Sequence, residues 1–463
     1  MSAPGVIVAA PASGSGKTTV TLALLRALRG RGLDVGSFKV GPDYIDPVFH
    51  ARASGLICPN LDSWAMRIET LSGLGDRIAR DVDLVIGEGV MGLFDGALVG
   101  QGSTADLASL FDLPVVLVVD AGRMVASAAA LVEGFIRHRE DVDVAGIIFN
   151  RVASDIHADL LQRACNDHFA QPVIGCLPTD KKLELPSRHL GLVQADEKPT
   201  LESFLDQAAG IIAEHLDLDQ FQHLARPFGL GLYGPAPCPL RPLGQRIAVA
   251  SDLAFAFAYP AVLEGWRQAG AEVTTFSPLA DEAPSEDADA VYLPGGYPEL
   301  HADRLAANAN FLGGLVRAAA RSSFVYGECG GFMVLGEGLI DKDGKVHAMA
   351  GLLPVTTSFE KPKRHLGYRS LKLQQACPLG SAGTTFRGHE FHYASIVEPS
   401  GGSIDLGDAR PLYAAKDARG GDKGEHGLAR GPVAGSFMHL IDRVAEPSDG
   451  DFRTTGPLRV VRD

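Results

Sequence analysis

The chain has 463 residues, more than the roughly 250 to 300 that a single hydrophobic core serves, so two domains are expected. Apolar residues make up 46% and charged residues 21%, and no apolar run approaches the roughly 20 residues that span a bilayer, which excludes a transmembrane anchor. A formal net charge of −14 excludes nucleic acid or an anionic membrane as the main partner, because releasing phosphate counterions takes a basic surface. Any polyanionic substrate must therefore meet a local basic pocket.

The opening stretch MSAPGVIVAAPASG has no basic region ahead of an apolar one, so no signal peptide is read and a cytoplasmic location is expected. Cys58, Cys165, Cys176, Cys238, Cys329 and Cys377 are scattered without C-x-x-C spacing, which predicts reduced thiols. In chain order, VIVAA is followed by TTVTLALLRALRGRG, then DVGSFKV, DLVIGEG, PVVLVVD and VAGIIFN. Strands rich in Val and Ile that alternate with amphipathic helices predict a doubly wound parallel α/β sheet over residues 1–225. Residues 226–245, dense in Pro and Gly, predict a linker. The rhythm then restarts with RIAVASD, AEVTTFS, ADAVYLPGG and SSFVYGE, a second α/β domain over 246–445 ahead of a tail, 446–463, with no internal repeat between the halves.

In VIVAAPASGSGKTTVTLALL a strand enters a Gly-rich turn and then a helix. Such a loop aims backbone N–H groups and the helix dipole at phosphates. Gly14, Ser15, Gly16, Lys17, Thr18 and Thr19 form the expected ATP site, with Lys17 on the terminal phosphates and the Thr18 hydroxyl on Mg²⁺. Pro11 stands where the usual loop has Gly. A turn without a ligand is the alternative. KVGPDYIDPVFH and LVIGEGVMGLFDG place carboxylates at strand ends, where open α/β sheets bind ligands. Asp43, Asp46 and Glu88 are candidates to complete a magnesium shell with Thr18. Asp43 and Glu88 are assigned to the metal, and Asp46, Tyr44 and Lys39 to the substrate; capping of neighbouring backbone is the alternative for each acid. Asn150, ending VAGIIFN, either hydrogen-bonds a nucleotide base or forms a turn.

APASGSGKTT, KVGPDYIDP, NLDSW, EGVMGLFDG, LPSRHLGL, GHEFHY and GSFMHL, in this order over nearly the whole chain, resemble the cobyrinic or hydrogenobyrinic acid a,c-diamide synthases. That resemblance implies an N-terminal domain similar to dethiobiotin synthetase, binding ATP and a corrin-ring polycarboxylic acid, and a C-terminal class I-type glutaminase domain. The loop PASGSGKTT is unlike that of the related cobyric acid synthases. Cys329, which on its own reads equally as a core thiol, then becomes the nucleophile: G-E-C-G-G has the form of a sharp strand-to-helix elbow, expected to lower the thiol pKa. Gly295 and Gly296 are the expected oxyanion hole, and His439 the base and acid. Class I glutaminases commonly carry His-x-Glu, but here Ile441 occupies that place and Asp442 is given no role.

His389, Glu390 and His392 have the wrong spacing for a helical zinc motif, and the resemblance implies a structural or interface role for them. Arg188 and His189 are left between substrate carboxylates and a domain interface. The implied chemistry transfers the ATP γ-phosphoryl group to a ring carboxylate and delivers ammonia from glutamine along a closed path, with a homodimer as a candidate assembly. The competing readings are amidation of another macrocycle, such as a cobyric acid or nickel-sirohydrochlorin relative, and an ATP-dependent switch without synthesis.

Overall fold

The computed structural model describes residues 2–184, 198–231, 237–397 and 406–445. Arg188, His189 and the tail from 446 lie outside them. Among the described residues the chain divides into two units, the second comprising Ala65–Arg67 and Pro237–Val444, the first the remainder. No helix among them is long and apolar enough to cross a membrane.

In the first unit β1 (Pro4–Ala9), β2 (Val35–Val40), β3 (Asn60–Leu61), β4 (Leu84–Glu88), β5 (Val115–Asp120), β6 (Val144–Val152) and β7 (Val173–Pro178) line up as β3-β2-β4-β1-β5-β6-β7. Every neighbouring pair on that path is parallel. The central strands β2 and β4 are buried at every residue, as expected of strands covered on both faces. One cover is α1 (Lys17–Gly30), whose Val20, Leu24, Leu25 and Leu28 share a core with Leu205 and Ile212 of the helix Lys198–His215. β1 lies between β4 and β5, so the chain leaving β1 for β2 passes over β4, and the carboxyl ends of these strands open onto one ligand-binding crevice.

The expected linker begins later than residue 226. β8 (Arg226–Pro227) pairs antiparallel with β1, and Phe228, fully buried, stacks on Phe38 with ring centroids 5.3 Å apart. An aromatic anchor within a Pro- and Gly-rich run extends the first domain past the compositional boundary.

The second unit begins with β9 (Arg246–Ala250), β10 (Glu272–Phe276), β11 (Ala290–Leu293) and β12 (Phe324–Glu328). β13 (Gly338–Ile340), β14 (Val346–Ala348) and β15 (Thr356–Ser358) enter a side sheet. β16 (His365–Leu373) and β17 (Thr385–His392) precede β18 (Ser395–Ile396), which completes it, and β19 (Arg410–Asp417), β20 (Asp422–Arg430), β21 (Val433–Ser436) and β22 (Met438–Arg443) follow. The main sheet runs β10-β9-β11-β12-β21-β20-β19-β16-β17-β22. It is parallel as far as β21 and antiparallel beyond. Within the antiparallel half, β16 and β20 escape a reading based on continuous apolar runs because they bury few residues, β20 only Ala429. β21 and β22 are separated by Phe437 alone yet stand five places apart, and Leu440 N–H donates to Glu328 Oε1 at 3.2 Å. The far edge of the sheet thus returns to β12, carrying His439 with it.

Candidate functional site

In the first unit the turn between β1 and α1 takes left-handed backbone at Gly14 (φ +85°) and Gly16 (φ +89°), which side chains with a Cβ rarely adopt. A Cβ at Gly16 would also lie 2.1 Å from Asn150 Nδ2. Asn150 comes this close because its side-chain N–H donates to Ser15 O at 2.9 Å, while the Ser15 hydroxyl donates to Ala12 O at 2.9 Å. The loop therefore keeps its shape with Pro11 in place of the usual Gly, and Asn150 braces it from β6. Thr18 and Thr19 fall in the first turn of α1, behind Lys17.

Glu88 is the centre of the site. It ends β4 in register with Lys39 of β2, so the strand pairing alone brings the two side chains together. Its Oε1 accepts from Thr18 Oγ1 at 2.6 Å, Lys39 Nζ at 2.7 Å and Lys17 Nζ at 3.2 Å, and its Oε2 meets His50 Nε2 at 2.6 Å. Lys39 also binds Asp46 Oδ2 at 2.6 Å. Glu88, Lys39 and His50 are buried. Burial alone would protonate Glu88, but Lys39, Lys17 and His50 hold its carboxyl well below the usual range. Burial pulls Lys17 down against the attraction of Glu88, whereas the carboxylates around Lys39 outweigh burial and raise it. Burial also lifts Asp46 to about 6 against the pull of Lys39. Lys17, Lys39 and His50 thus converge on Glu88, with Asp46 and Asp43 beside Lys39.

Asp43 Oδ1 accepts from the backbone N–H groups of Ile45 (2.8 Å) and Asp46 (3.2 Å) in the turn that leads into α2 (Asp46–Ser54), and these bonds occupy one of its two oxygens. Tyr44, like Lys39, is buried. Cis ligands of an octahedral Mg²⁺ at about 2.1 Å stand about 3 Å apart. The Thr18 and Glu88 oxygens, 2.6 Å apart, need to open only slightly to admit the ion. His50 was not anticipated, although the signal was present: it follows Asp46 by four residues on one helix and so shares its face. Asn60 of NLDSW, which donates to Gly41 O (2.8 Å) and Asp43 O (2.6 Å), was missed for want of any chemical signal in an isolated Asn.

Burial disfavours a charged His50, but Cys58 and Glu88 together push it up to about 10. The folded value lies above the unfolded 6.5, so its stabilising contribution is complete below pH 6.5 and lost as pH rises through 10. The melting temperature of the first unit is expected to fall over that window more steeply than in His50→Gln. Parallel curves for the two proteins would contradict a charged His50.

In the second unit Cys329 sits between β12 and the six-residue helix Gly330–Leu335 at φ +47° and ψ −104°, a strained turn for a residue with a Cβ. Its N–H donates to Ser436 O at 2.7 Å and its Sγ lies 3.6 Å from Phe391 O. The expected low thiol pKa is overturned. Burial and then Glu299 push the thiol up strongly, and the Gly330 N–H pointing at the sulfur offsets only part of this. Burial, with His389 and His392 nearby, drives His439 down to about 3. Both shifts favour the neutral forms, a thiol at Cys329 and an imidazole at His439.

A Cβ on Gly295 would lie 2.3 Å from His439 Cε1, so only glycine leaves room there for the imidazole. Its carbonyl accepts from Phe257 N–H at 2.9 Å, which turns the N–H of Gly296 to the opposite side of the same trans peptide. Gly296 N lies 3.0 Å from where a Gly330 Cβ would stand. Gly296 N–H thus lies beside the residue whose own N–H points at the Cys329 sulfur. Glu328, which sequence reasoning passed over beside the cysteine, ties the site together. It accepts from Tyr292 OH (2.8 Å), Tyr326 OH (3.3 Å) and Leu440 N–H, and burial lifts it to about 7. Asp442 is engaged by Arg67 at 2.8 Å within the second unit.

His389 stands opposite His439 in the β17–β22 register. Glu390 and His392 point elsewhere and come within 4.8 Å of His365, a grouping of potential ligand atoms. Arg369 pairs with Glu390, and the His365 and His392 rings stack in parallel with centroids 4.6 Å apart. That packing serves an ion-paired strand junction.

A phosphate loop backed by a buried carboxylate on one sheet, and a cysteine elbow with a histidine on the other, define a nucleotide-binding domain joined to a glutamine amidotransferase. Residues 6–193 match the CobQ/CobB/MinD/ParA nucleotide binding domain and residues 246–445 the CobB/CobQ-like glutamine amidotransferase domain. Proteins named hydrogenobyrinate a,c-diamide synthase align over nearly the full length. That of Brucella anthropi is 54% identical over 96% of this chain and 99% of its own, and that of Rhizobium meliloti is 54% identical over 95% and 99%. That of Mesorhizobium japonicum is 49% identical over 96% and 100%. The chain belongs to the hydrogenobyrinate a,c-diamide synthase family, and it is a glutamine-hydrolysing, ATP-dependent amidating enzyme.

Proposed function

We propose that the protein converts the a- and c-acetate carboxylates of hydrogenobyrinic acid to amides in cobalamin biosynthesis, in the cytoplasm. The observation that carries this reading is the coexistence of both constellations in one chain that matches its relatives end to end. A carboxylate resists ammonia because its charge and poor leaving group make it a weak electrophile. One oxygen of the ring carboxylate attacks the γ-phosphorus of ATP, the bond to the β-phosphate oxygen breaks, and ADP leaves an acyl phosphate. Lys17 and Lys39 hold the phosphate charge, the loop amides of Gly14–Thr19 orient the chain of phosphates, and Asp46 keeps Lys39 aimed at Glu88. Thr18 and Glu88 would hold Mg²⁺, which neutralises charge on the phosphates when bound.

At the second unit Cys329 passes its proton to His439 and its sulfur attacks the glutamine amide carbon, with the oxyanion held by Gly296 and Gly330. The imidazolium returns the proton to the departing nitrogen, ammonia leaves, and water then releases glutamate from the thioester. Ammonia displaces phosphate from the acyl phosphate, and repetition on the second acetate completes the diamide. Presented separately with hydrogenobyrinic acid, its cobalt-containing counterpart and a nickel tetrapyrrole, the enzyme should give a diamide mass with the metal-free acid at the highest kcat/KM. Preference for either metal-containing ring would reassign the substrate.

A further inference from the structure

Glu299 lies in the turn Pro298–His301, three residues beyond the oxyanion glycine Gly296. Pro298 rests on the nucleophile's helix, 2.8 Å from where a Gly330 Cβ would stand. Among charged side chains, Glu299 raises the Cys329 thiol most, ahead of Glu328 and Glu390. Its Oε2 is buried and accepts no hydrogen bond among the described residues, and burial rather than any neighbouring cation dominates its electrostatics, lifting it to about 7. The Glu299 backbone N–H supports the carboxyl group, and the buried Oε2 still has room for a donor, which calls for an explanation in a native site.

We infer that Glu299 is the anchor for the α-ammonium of the substrate glutamine and sets the enzyme's preference for an amino acid amide over other primary amides. The inference rests on Cys329 being the glutaminase nucleophile. Bond lengths put the ammonium of an extended glutamine about 5 Å from its amide carbon. A carboxylate that acts electrostatically on the nucleophile's sulfur is placed to meet one end of the substrate while the sulfur attacks the other. The ammonium supplies the missing donor and charge, and its departure with glutamate leaves the carboxylate unpaired again, so substrate and site are desolvated together. A site built around a buried polar group rejects an analogue lacking the complementary group, because binding would leave the carboxylate unpaired.

The test compares glutamine with its des-amino analogue, 4-carbamoylbutanoate, in wild type, Glu299→Gln and Glu299→Asp, with ammonium-driven amidation as a control for folding. Glu299→Gln should raise KM for glutamine at least 10-fold with kcat changed less than about 3-fold, and leave KM for the analogue unchanged. Glu299→Asp should fall between. An unaltered KM for glutamine, or an equal rise for both amides, overturns the anchor, as does loss of ammonium-driven activity in both variants, which would mark a purely structural residue. Cys329→Ala in the same assay separates the two claims. If it retains glutamine use, the nucleophile reading fails, whereas an inert Glu299 with a dead Cys329→Ala removes only the anchor.

Discussion

Replacing Cys329 with alanine should lower glutamine-driven amidation by roughly 10³-fold or more while ammonium-driven amidation at alkaline pH stays within about twofold of wild type. In the proposed mechanism the thioester forms on this sulfur alone, whereas the acyl phosphate forms in the other unit and accepts ammonia from any source. The thiol contributes little volume, so loss of packing accounts for only about 1 to 3 kcal/mol and would affect both nitrogen sources alike. Cys329 also occupies positive φ (+47°). Cys329→Gly should therefore be at least as stable as Cys329→Ala, and equally dead with glutamine. Parallel loss of both activities in both variants would return the residue to the core.

Glu88→Gln should be the most damaging single change in the first unit. Glutamine keeps the shape but removes the negative charge that Lys17, Lys39 and His50 share, all in direct contact with it. Removing one partner of a buried ion pair costs about 3 to 5 kcal/mol because the others are left uncompensated. Glu88 lies below its ordinary range when folded, so its contribution is present above the unfolded value of 4.5 and lost only as pH falls through the lower folded value. The variant should melt lower at neutral pH, with the difference shrinking on acidification. Amidation should be lost with glutamine and with ammonium alike, since both need the activated carboxylate. Activity with ammonium within threefold of wild type would remove Glu88 from the metal and phosphate site.

Much of this was legible in the sequence because the chemistry recurs at fixed offsets from strand ends. The loop Gly14–Thr19, Glu88 and the Gly-Glu-Cys-Gly-Gly elbow all follow apolar strands, and parallel sheets deliver strand ends to one crevice. What stayed hidden depends on packing. His50 looks like any helical histidine until strand register sets Glu88 beside Lys39, and the sequence does not show that one Asp43 oxygen accepts from backbone N–H groups at the start of α2. The low pKa expected of Cys329 failed for the same reason: an elbow motif reveals the helix behind the sulfur but not the burial around it. In the antiparallel half of the second sheet, which brings β22 and His439 back to β12, β16 and β20 carry no continuous apolar run to announce them.

The central claim, that one chain takes nitrogen from glutamine and places it on ATP-activated ring carboxylates, is tested most directly with glutamine labelled with ¹⁵N in the side-chain amide. Incubated with ATP, Mg²⁺ and hydrogenobyrinic acid in excess unlabelled ammonium at neutral pH, the enzyme should yield a diamide carrying ¹⁵N at both new amides, with two ADP formed per diamide. An unchanged acid, or a diamide labelled no more than the ammonium pool dictates, would contradict it.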